Sequence, residues 1–389
     1  MPYDIKDFDA IRPYNKGEMK QALNDLLGDR HFQKVLQGFI PWLPKSLRNG
    51  ALRMAFVGID EPQDFQVRFM KTIVNRMVIK KHTQGITFGH DALEKGEKRY
   101  TFLSNHRDIV LDSALLDVLL IDAGFKRTVE IAIGDNLLIY PWIKALVRMN
   151  KAFTVRRGLS PRELLMSSQL MSEYIHYAVT QKHENIWMAQ REGRAKDSND
   201  QTQDSVLKML AMGGKGSPAE SLRDLNITPL TISYEYDPCD YLKAKEFQLK
   251  RDNPGYKKSK QDDLDNMRIG IFGDKGRVHY QASPCINAWI DEYAELPKTE
   301  FYTAVAKRMD QEIYRGYMLY PGNYVACDLL SGRQDFADKY TSQEKKTFED
   351  YLQSRIDLID IPNKDVSFLR ERILTMYANP VKNKLSIED

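Results

Sequence analysis

Short apolar runs alternate with helical patterns through the middle of the chain, and no other feature of the sequence constrains the fold as strongly. Strands are predicted at Tyr100–Ser104, Val129–Ile133, Phe153–Val155, Asn185–Ala189 and Ile227–Tyr234. Helical spacing of apolar residues predicts helices over Ser113–Ala123, Leu137–Met149 and Pro161 to about Gln181. The alternation predicts an α/β fold with a mostly parallel central sheet covered by helices. In such sheets, binding and catalytic side chains gather beyond the carboxyl ends of the strands.

Helical patterns dominate both ends of the chain. Residues 15 to about 82 show apolar side chains at helical spacing, and the sequence after about residue 283 is mainly helical. We therefore divide the chain into a helical amino-terminal region (1–85), an α/β domain (86–300) and a helical carboxy-terminal region (301–389).

Three polar segments are predicted to lack regular helices. Asp197–Ser205 and Gly213–Ser221, between the last two predicted strands, are expected to form one mobile loop, and residues 251–266 a second, charged loop. Gly273–Tyr280 is expected to form a β-hairpin with its turn near Lys275.

Composition excludes several classes of protein. Apolar residues make up 42% of the 389 residues, enough for a sizeable core, and the net charge of +3 is too small to predict nucleic-acid binding. No apolar run approaches the roughly 20 residues that a membrane-spanning helix needs. The three cysteines, Cys239, Cys285 and Cys327, are widely spaced, so neither a disulfide framework nor a metal site is predicted.

The expected location is the cytoplasm, with peripheral attachment to the inner face of the membrane. The polar, acidic start of the sequence is not typical of a secretory signal. Phe39–Phe56 mixes apolar side chains such as Trp42 and Leu47 with basic ones such as Arg48. This mixture suits a helix on a membrane surface and equally a core-facing helix with a solvated basic side.

The segment Ser104–Leu116 (SNHRDIVLDSALL) carries the strongest catalytic signal. His106 leaves a predicted strand and Asp112 begins a predicted helix. Histidine is the usual general base near neutral pH, and a neighbouring carboxylate can fix its tautomer and stabilise the imidazolium. Asp112 also suits a helix N-cap, and Asp108 is the alternative partner for His106.

Four segments together resemble the glycerolphosphate acyltransferase superfamily. Ser104–Leu116 is similar to its first block, in which four residues separate a histidine from an aspartate. Phe153–Arg157 (FTVRR), Arg191–Arg194 (REGR) and Asn226–Ile232 (NITPLTI) resemble the second, third and fourth blocks in the family's order. The resemblance covers about residues 86–300.

The resemblance implies transfer of a fatty acyl group to a hydroxyl in membrane phospholipid synthesis, without a cofactor. The co-substrate would be acyl-CoA or acyl carrier protein, and the acceptor glycerol 3-phosphate or lysophosphatidate. His106 and Asp112 would be catalytic. The residues implied to bind or shape the substrate sites are Arg156, Arg157, Glu192, Gly193, Arg194 and Pro229.

The sequence departs from the family pattern at several positions. Five residues, rather than four, separate His106 from Asp112, so the turn between them must differ. Arg194 follows Gly193 directly, where the family has a small residue, and Lys151 stands where the second block has a glycine. Two alternatives therefore stay open: the same chemistry on another acceptor, such as an acylated amino acid in aminolipid synthesis, and a non-catalytic lipid-binding protein.

Overall fold

Seven short strands form one sheet at the centre of the computed structural model, which describes residues 4–39 and 41–387. Ile40, inside the candidate membrane segment, and the first three residues of the polar amino terminus lie outside the described residues. The strands are β1 Ile86–Gly89, β2 Thr101–Ser104, β3 Val129–Gly134, β4 Ala152–Val155, β5 Asn185–Ala189, β6 Ile227–Tyr234 and β7 Val278–Ala282.

The sheet is mostly parallel, as the alternation of strands and helices predicts. Its strand order is β1-β7-β6-β2-β5-β3-β4. Strands β6, β2, β5, β3 and β4 run in one direction, and β1 and β7 run in the other, because β7 pairs antiparallel with β6. The carboxyl ends of five strands therefore meet at one edge of the sheet, which we call the carboxyl edge.

Helices surround this sheet and make up both ends of the described chain. The helices before β1 are α1 Met19–Gly28, α2 Arg30–Phe39, α3 Lys45–Ala55, α4 Pro62–Asp64, α5 Lys71–Val74 and α6 Lys80–His82. Two π-helical stretches, Phe65–Met70 and Asn75–Ile79, connect α4, α5 and α6. The helices between the strands are α7 Leu111–Asp122, α8 Pro141–Met149, α9 Pro161–Thr180, α10 Asp204–Ala211, α11 Pro218–Asp224, α12 Asp240–Asp252 and α13 Lys260–Phe272. The helices after β7 are α14 Lys298–Arg315, α15 Pro321–Ser331, α16 Ser342–Asp357 and α17 Val366–Leu385.

Two apolar cores cover the faces of the sheet. On one face lie residues of α9, α10, α11 and α14, represented by Ile175, Leu210, Leu222 and Val305. On the other face lies α7, which is buried along almost its whole length. A helix that is apolar all round is one that the fold encloses, so α7 and the residues at its start are held in the protein interior.

The fold class is confirmed, but three local predictions are wrong. Gly273–Tyr280 is not a hairpin, because it holds no strand before its turn. Strand β7 begins at Val278 and pairs with β6 and β1. The expected mobile loop contains the start of α10 and the first part of α11, and the expected charged loop contains the end of α12 and about half of α13. In both predicted loops, polar residues on the solvated side of a helix obscured the apolar spacing of the side that packs on the protein.

No helix in the described ranges is long and apolar enough to cross a bilayer.

Candidate active site

His106 lies just beyond the carboxyl end of β2. The backbone leaves the sheet at Asn105, whose buried side chain donates to the Ile232 carbonyl over 3.0 Å and accepts from the Ile232 N–H over 2.7 Å. This amide therefore replaces a backbone partner for β6 after β2 has ended. The anchor fixes the point from which the His106 side chain departs.

The His106 ring is bonded to the carboxylate of Asp112, the second residue of α7. His106 Nδ1 lies 2.8 Å from Asp112 Oδ2, and the same oxygen accepts the Arg107 backbone N–H over 2.6 Å. The Tyr234 hydroxyl donates to Asp112 Oδ1 over 3.2 Å. Because an ionised carboxylate only accepts hydrogen bonds, His106 carries its proton on Nδ1 and leaves the Nε2 lone pair available. Nε2 has no hydrogen-bond partner among the described residues.

Asp108, the alternative partner, has a different role. Its Oδ1 accepts the backbone N–H groups of Val110 and Leu111, each over 2.8 Å, so it caps the amino end of α7. Burial, followed by the neighbouring Asp112 charge, raises the pKa of Asp108. Gly270 packs so closely on this carboxylate that a Cβ there has no room. The helix-capping role considered for Asp112 therefore belongs to Asp108, and Asp112 is free to orient His106.

Trp187 completes the surroundings of the imidazole and was missed in the sequence. Its ring meets that of His106 edge-on, with centroids 5.5 Å apart, and its Nε1 donates to Ser104 Oγ over 3.1 Å. Trp187 lies on β5, the neighbour of β2, in register with Phe102. The alternation of faces along β5 was the available signal, because it places Trp187 and not Ile186 or Met188 on the α7 side.

Arg107 is buried and paired, so its side chain is engaged within the protein. Its guanidinium contacts both carboxylate oxygens of Asp200, at 3.3 and 2.6 Å, and the Asp200 carboxylate also accepts from the Tyr317 hydroxyl over 2.7 Å. Burial opposes the charge on Arg107, but nearby negative groups, Asp200 first, raise its pKa above the ordinary value. The Tyr314 hydroxyl donates to the Asp200 carbonyl over 2.6 Å. This buried pair connects the loop that holds His106 to the loop after β5 and to the end of α14.

The segments predicted as second and third blocks meet at the carboxyl edge. Arg157, just after β4, donates from Nη1 to Glu192 Oε1 over 2.7 Å, and its backbone N–H donates to Asp135 Oδ1 over 3.1 Å. About a third of the Arg157 side chain is exposed, and its Nε has no hydrogen-bond partner among the described residues. Gly193 has a φ of 71°, a conformation that favours glycine. A guanidinium that is one-third exposed is suited to an anionic ligand.

The remaining predicted residues are spread more widely. Arg156 is exposed, and its charge adds to the hydrogen bonds from Ser160 that lower the pKa of Glu163. Arg194 donates to Asn266 Oδ1 of α13 over 3.0 Å, while its Nη1 has no partner in the described part of the chain. Pro229 is buried inside β6, in register with Leu103 and before the carboxyl edge. The structure thus brings Arg157, Glu192 and Gly193 together but does not bring Pro229 to them.

The thiols are not arranged as nucleophiles. Cys239, Cys285 and Cys327 are all buried, and burial raises the pKa of Cys239 to about 12 and that of Cys327 to about 11. The thiolate is the reactive form of cysteine, so these side chains are unreactive near neutral pH. Within the described ranges, no group of three or more histidine, cysteine or acidic side chains is placed to hold a metal ion.

No protein-family model matches the chain, and no curated protein matches it at a significant level. The resemblance of the four segments to the acyltransferase family therefore stays a prediction.

Proposed function

We propose that this protein is an O-acyltransferase that moves a fatty acyl group from acyl-CoA or acyl carrier protein to the hydroxyl of an anionic lipid precursor. The observation that carries the proposal is the 2.8 Å contact between His106 Nδ1 and Asp112 Oδ2, with His106 Nε2 left without a protein partner among the described residues. The extra residue between the two side chains does not keep them out of hydrogen-bond reach.

The proposed reaction is direct transfer in one active site. His106 Nε2 takes the proton of the acceptor hydroxyl while that oxygen attacks the thioester carbonyl. Asp112 stabilises the imidazolium that forms. When the tetrahedral intermediate collapses, the C–S bond breaks and the imidazolium returns the proton to the departing thiolate. The products are an ester and a free thiol, and no acyl-enzyme is needed.

Arg157 is proposed to bind the anionic group of the acceptor. A guanidinium can pair with two oxygens of a phosphate or carboxylate, and the Arg157 side chain is accessible at the edge where His106 also lies. Glu192 holds this guanidinium in place, and the positive φ of Gly193 shapes the turn that follows.

The acceptor is glycerol 3-phosphate or lysophosphatidate in the first form of this proposal. One observation removes a reason to prefer this form over the second, in which the acceptor is an acylated amino acid of an aminolipid pathway. The His106–Arg107 pair resembles the branch of the family that uses glycerol 3-phosphate, yet the Arg107 guanidinium is buried against Asp200 and unavailable to a phosphate. Both acceptor classes are therefore included in the test.

Peripheral attachment to the inner face of a membrane is part of the proposal. In the segment Phe39–Phe56 and just beyond it, the side chains of Trp42, Leu47, Met54 and Val57 are between 57 and 78% exposed. Apolar side chains at this exposure, next to basic ones such as Arg53, suit a lipid surface. We call α2, α3 and residues 41–44 between them the α2–α3 hairpin.

The test is acyl transfer from labelled acyl-CoA and acyl carrier protein to glycerol 3-phosphate, lysophosphatidate and a hydroxy-acyl amino acid. The wild type is compared with His106→Ala and with His90→Ala as the matched control. His90 also packs edge-on against an aromatic ring, that of Phe125, but it follows β1 and lies at the opposite edge of the sheet.

Turnover by the wild type and by His90→Ala, but not by His106→Ala, supports the proposal, and the acceptor consumed names the pathway. Equal turnover by all three proteins contradicts the role of His106. A folded wild type that acylates none of the acceptors favours the non-catalytic lipid-binding alternative.

A further inference from the structure

The amino end of α9 projects from the protein with apolar side chains uncovered. All six residues from Pro161 to Met166 are exposed. Leu164, Leu165 and Met166 are 52, 62 and 65% exposed, whereas Tyr174 and Ile175 further along the same helix are fully buried. A helix whose second half is in the core therefore carries an uncovered apolar tip on its first half, which we call the α9 tip.

The arrangement of the three side chains favours a lipid over a protein groove. Consecutive residues on an α-helix are about 100° apart, so Leu164, Leu165 and Met166 extend over roughly 200° of its circumference. A helix in a protein groove buries a stripe of residues three and four positions apart. An apolar surface that covers more than half of a helix end suits a medium that surrounds it, as the outer part of a bilayer does.

The charges at the α9 tip match an anionic surface. Arg156 and Arg162 are exposed beside it, and Glu163 is the single acidic residue in this stretch. The Glu163 carboxylate accepts from both the N–H and the hydroxyl of Ser160, at 3.0 and 2.6 Å. These bonds fix the carboxylate at the start of the helix but leave its charge, and the two exposed arginines outnumber it at the α9 tip, so the local charge favours anionic lipid headgroups.

The α9 tip is linked to the α2–α3 hairpin along the carboxyl edge. The loop between β3 and α8 carries half-exposed Leu137, Leu138 and Ile139. At one end of this loop, Asp135 bonds to the Arg157 backbone ahead of α9. At the other end, Tyr140 stacks on His31 of α2, with ring centroids 5.1 Å apart. This loop therefore connects the segment ahead of α9 to the amino end of α2.

The carboxyl edge is also where His106 lies. Strand β4, which leads into α9, is three strands from β2 in the sheet. Neighbouring strands are about 4.8 Å apart, so the ends of β4 and β2 are separated by roughly 14 Å. The segment that leads into the α9 tip therefore leaves the sheet at the same edge as His106, three strands away.

We propose that the α9 tip enters the surface of an anionic bilayer beside the active site, and that the α2–α3 hairpin alone does not provide the membrane contact. In this position a lipid substrate passes from the bilayer to His106 without crossing bulk water. The route for the substrate rests on the proposed acyl transfer, whereas the membrane contact is measured without turnover.

The experiment measures binding of the full chain to vesicles of phosphatidylcholine with and without phosphatidylglycerol. The test variant is Leu164→Ser/Leu165→Ser, and the matched control is Leu358→Ser/Val366→Ser, which removes two apolar side chains of similar exposure from the carboxy-terminal region. We expect the test variant to bind anionic vesicles about tenfold more weakly or worse, because two apolar side chains no longer enter the lipid. The control variant and His106→Ala are expected to bind as the wild type does.

A site-specific probe separates the α9 tip from the α2–α3 hairpin. The three native cysteines are buried, so an environment-sensitive dye on Leu165→Cys reports on one position, with Leu358→Cys as the reference. The proposal is supported if the dye at position 165 shifts to the blue on anionic vesicles and is quenched by brominated lipid, while the dye at position 358 does neither.

Two results overturn it. The first is vesicle binding by the wild type with no spectral change at position 165. The second is self-association in the absence of lipid that the Leu164→Ser/Leu165→Ser change abolishes, which would assign the α9 tip to a second copy of the chain. If the vesicle experiment succeeds and no acceptor is acylated, the membrane contact stands and the proposed reaction does not.

Discussion

The Tyr234 hydroxyl donates to Oδ1 of Asp112 over 3.2 Å, on the carboxylate oxygen that His106 leaves free. The Tyr280 hydroxyl bonds to the backbone carbonyl of the same residue over 3.0 Å. Burial raises the pKa of both tyrosines well above the ordinary value, so both remain protonated donors. Asp112 is therefore fixed from both carboxylate oxygens and from its backbone, and its orientation toward His106 does not depend on substrate.

Tyr234 is expected to act as a positioning residue through Asp112. Without the Tyr234 hydroxyl, more negative charge remains on the carboxylate and the imidazolium of His106 is held more strongly. Tyr234→Phe should nevertheless lower kcat/KM about tenfold, because Asp112 loses one of the hydrogen bonds that orient it toward His106, and a hydrogen bond to a charged group has an effect of this size. It should also move the acid limb of the pH–rate profile to higher pH. Tyr280→Phe is the control, because its lost bond is to a backbone carbonyl, and an equal shift of the acid limb in both variants contradicts this role.

Asp112 and Asp108 are expected to differ sharply when each is changed to asparagine. Asp112→Asn keeps the shape of the side chain but removes the charge that stabilises the imidazolium, so kcat should fall by roughly 10³ to 10⁴. Asp108→Asn keeps a side-chain oxygen for the Val110 and Leu111 N–H groups and should change kcat less than tenfold. Steady-state rates with thermal melts of both proteins test this. A larger loss from the Asp108 change would exchange the two roles.

Substitution of each of the two adjacent arginines after β4 should distinguish specific binding of the acceptor from a general effect of positive charge. Arg157→Ala should raise the KM for a water-soluble anionic acceptor by roughly ten- to a hundredfold, because a paired, positioned guanidinium is lost. Arg156→Ala should change that KM less than threefold, since its side chain is solvated. The KM for the thioester donor should stay the same in both variants. Equal effects on acceptor and donor would assign Arg157 to the fold rather than to the acceptor.

Asp117 on α7 is expected to make stability depend on pH. Its Oδ1 accepts the Val129 N–H over 2.9 Å, and burial raises its pKa from 3.8 to about 7. Between these two values the folded protein binds more protons than the unfolded chain, so the Asp117 contribution to stability decreases as pH rises from about 4 to 7. Asp117→Asn keeps the acceptor oxygen and cannot ionise. The free energy of unfolding of Asp117→Asn, relative to that of the wild type, should therefore increase by about 2 kcal/mol between pH 5.5 and 8.

The control for that experiment is Asp122→Asn at the exposed end of the same helix. The Asp122 side chain is 55% exposed and lies beside Lys71. Chemical denaturation at several pH values should give a difference from the wild type that stays constant for Asp122→Asn and grows for Asp117→Asn. Parallel pH curves for the wild type and Asp117→Asn would mean that Asp117 ionises at an ordinary pH.

Much of the sheet was predictable from local pattern. The bounds of β5 and β6 match the prediction, because each is a short apolar run between clear turn residues. Strand β7 was missed because its pairing is not local. Its partners lie far away in the chain, with Leu230 opposite Ala282 and Tyr234 opposite Val278, while the glycines just before it indicate a turn. Local spacing carries no information about such distant pairing.

The candidate site was also predictable only in part from the sequence. His106 and Asp112 were predictable because a strand end and the following helix start lie together at one edge of a parallel sheet. The choice between Asp108 and Asp112 was not, since it depends on which carboxylate meets the first N–H groups of α7. The contacts of Tyr234 and Asp200 depend on tertiary packing, and sequence spacing alone predicts neither.

The Arg107–Asp200 pair also bears on the order in which a working protein is made. The partners of Asp200 include Tyr314 and Tyr317, which the ribosome adds long after His106 and Asp112. Until that later segment has been synthesised and packed, Asp200 lacks two of its hydrogen-bond partners, and burial of the Arg107 charge beside His106 has a large desolvation cost. In the proposed enzyme, acyl transfer is therefore expected only from chains that include the packed segment around Tyr314 and Tyr317.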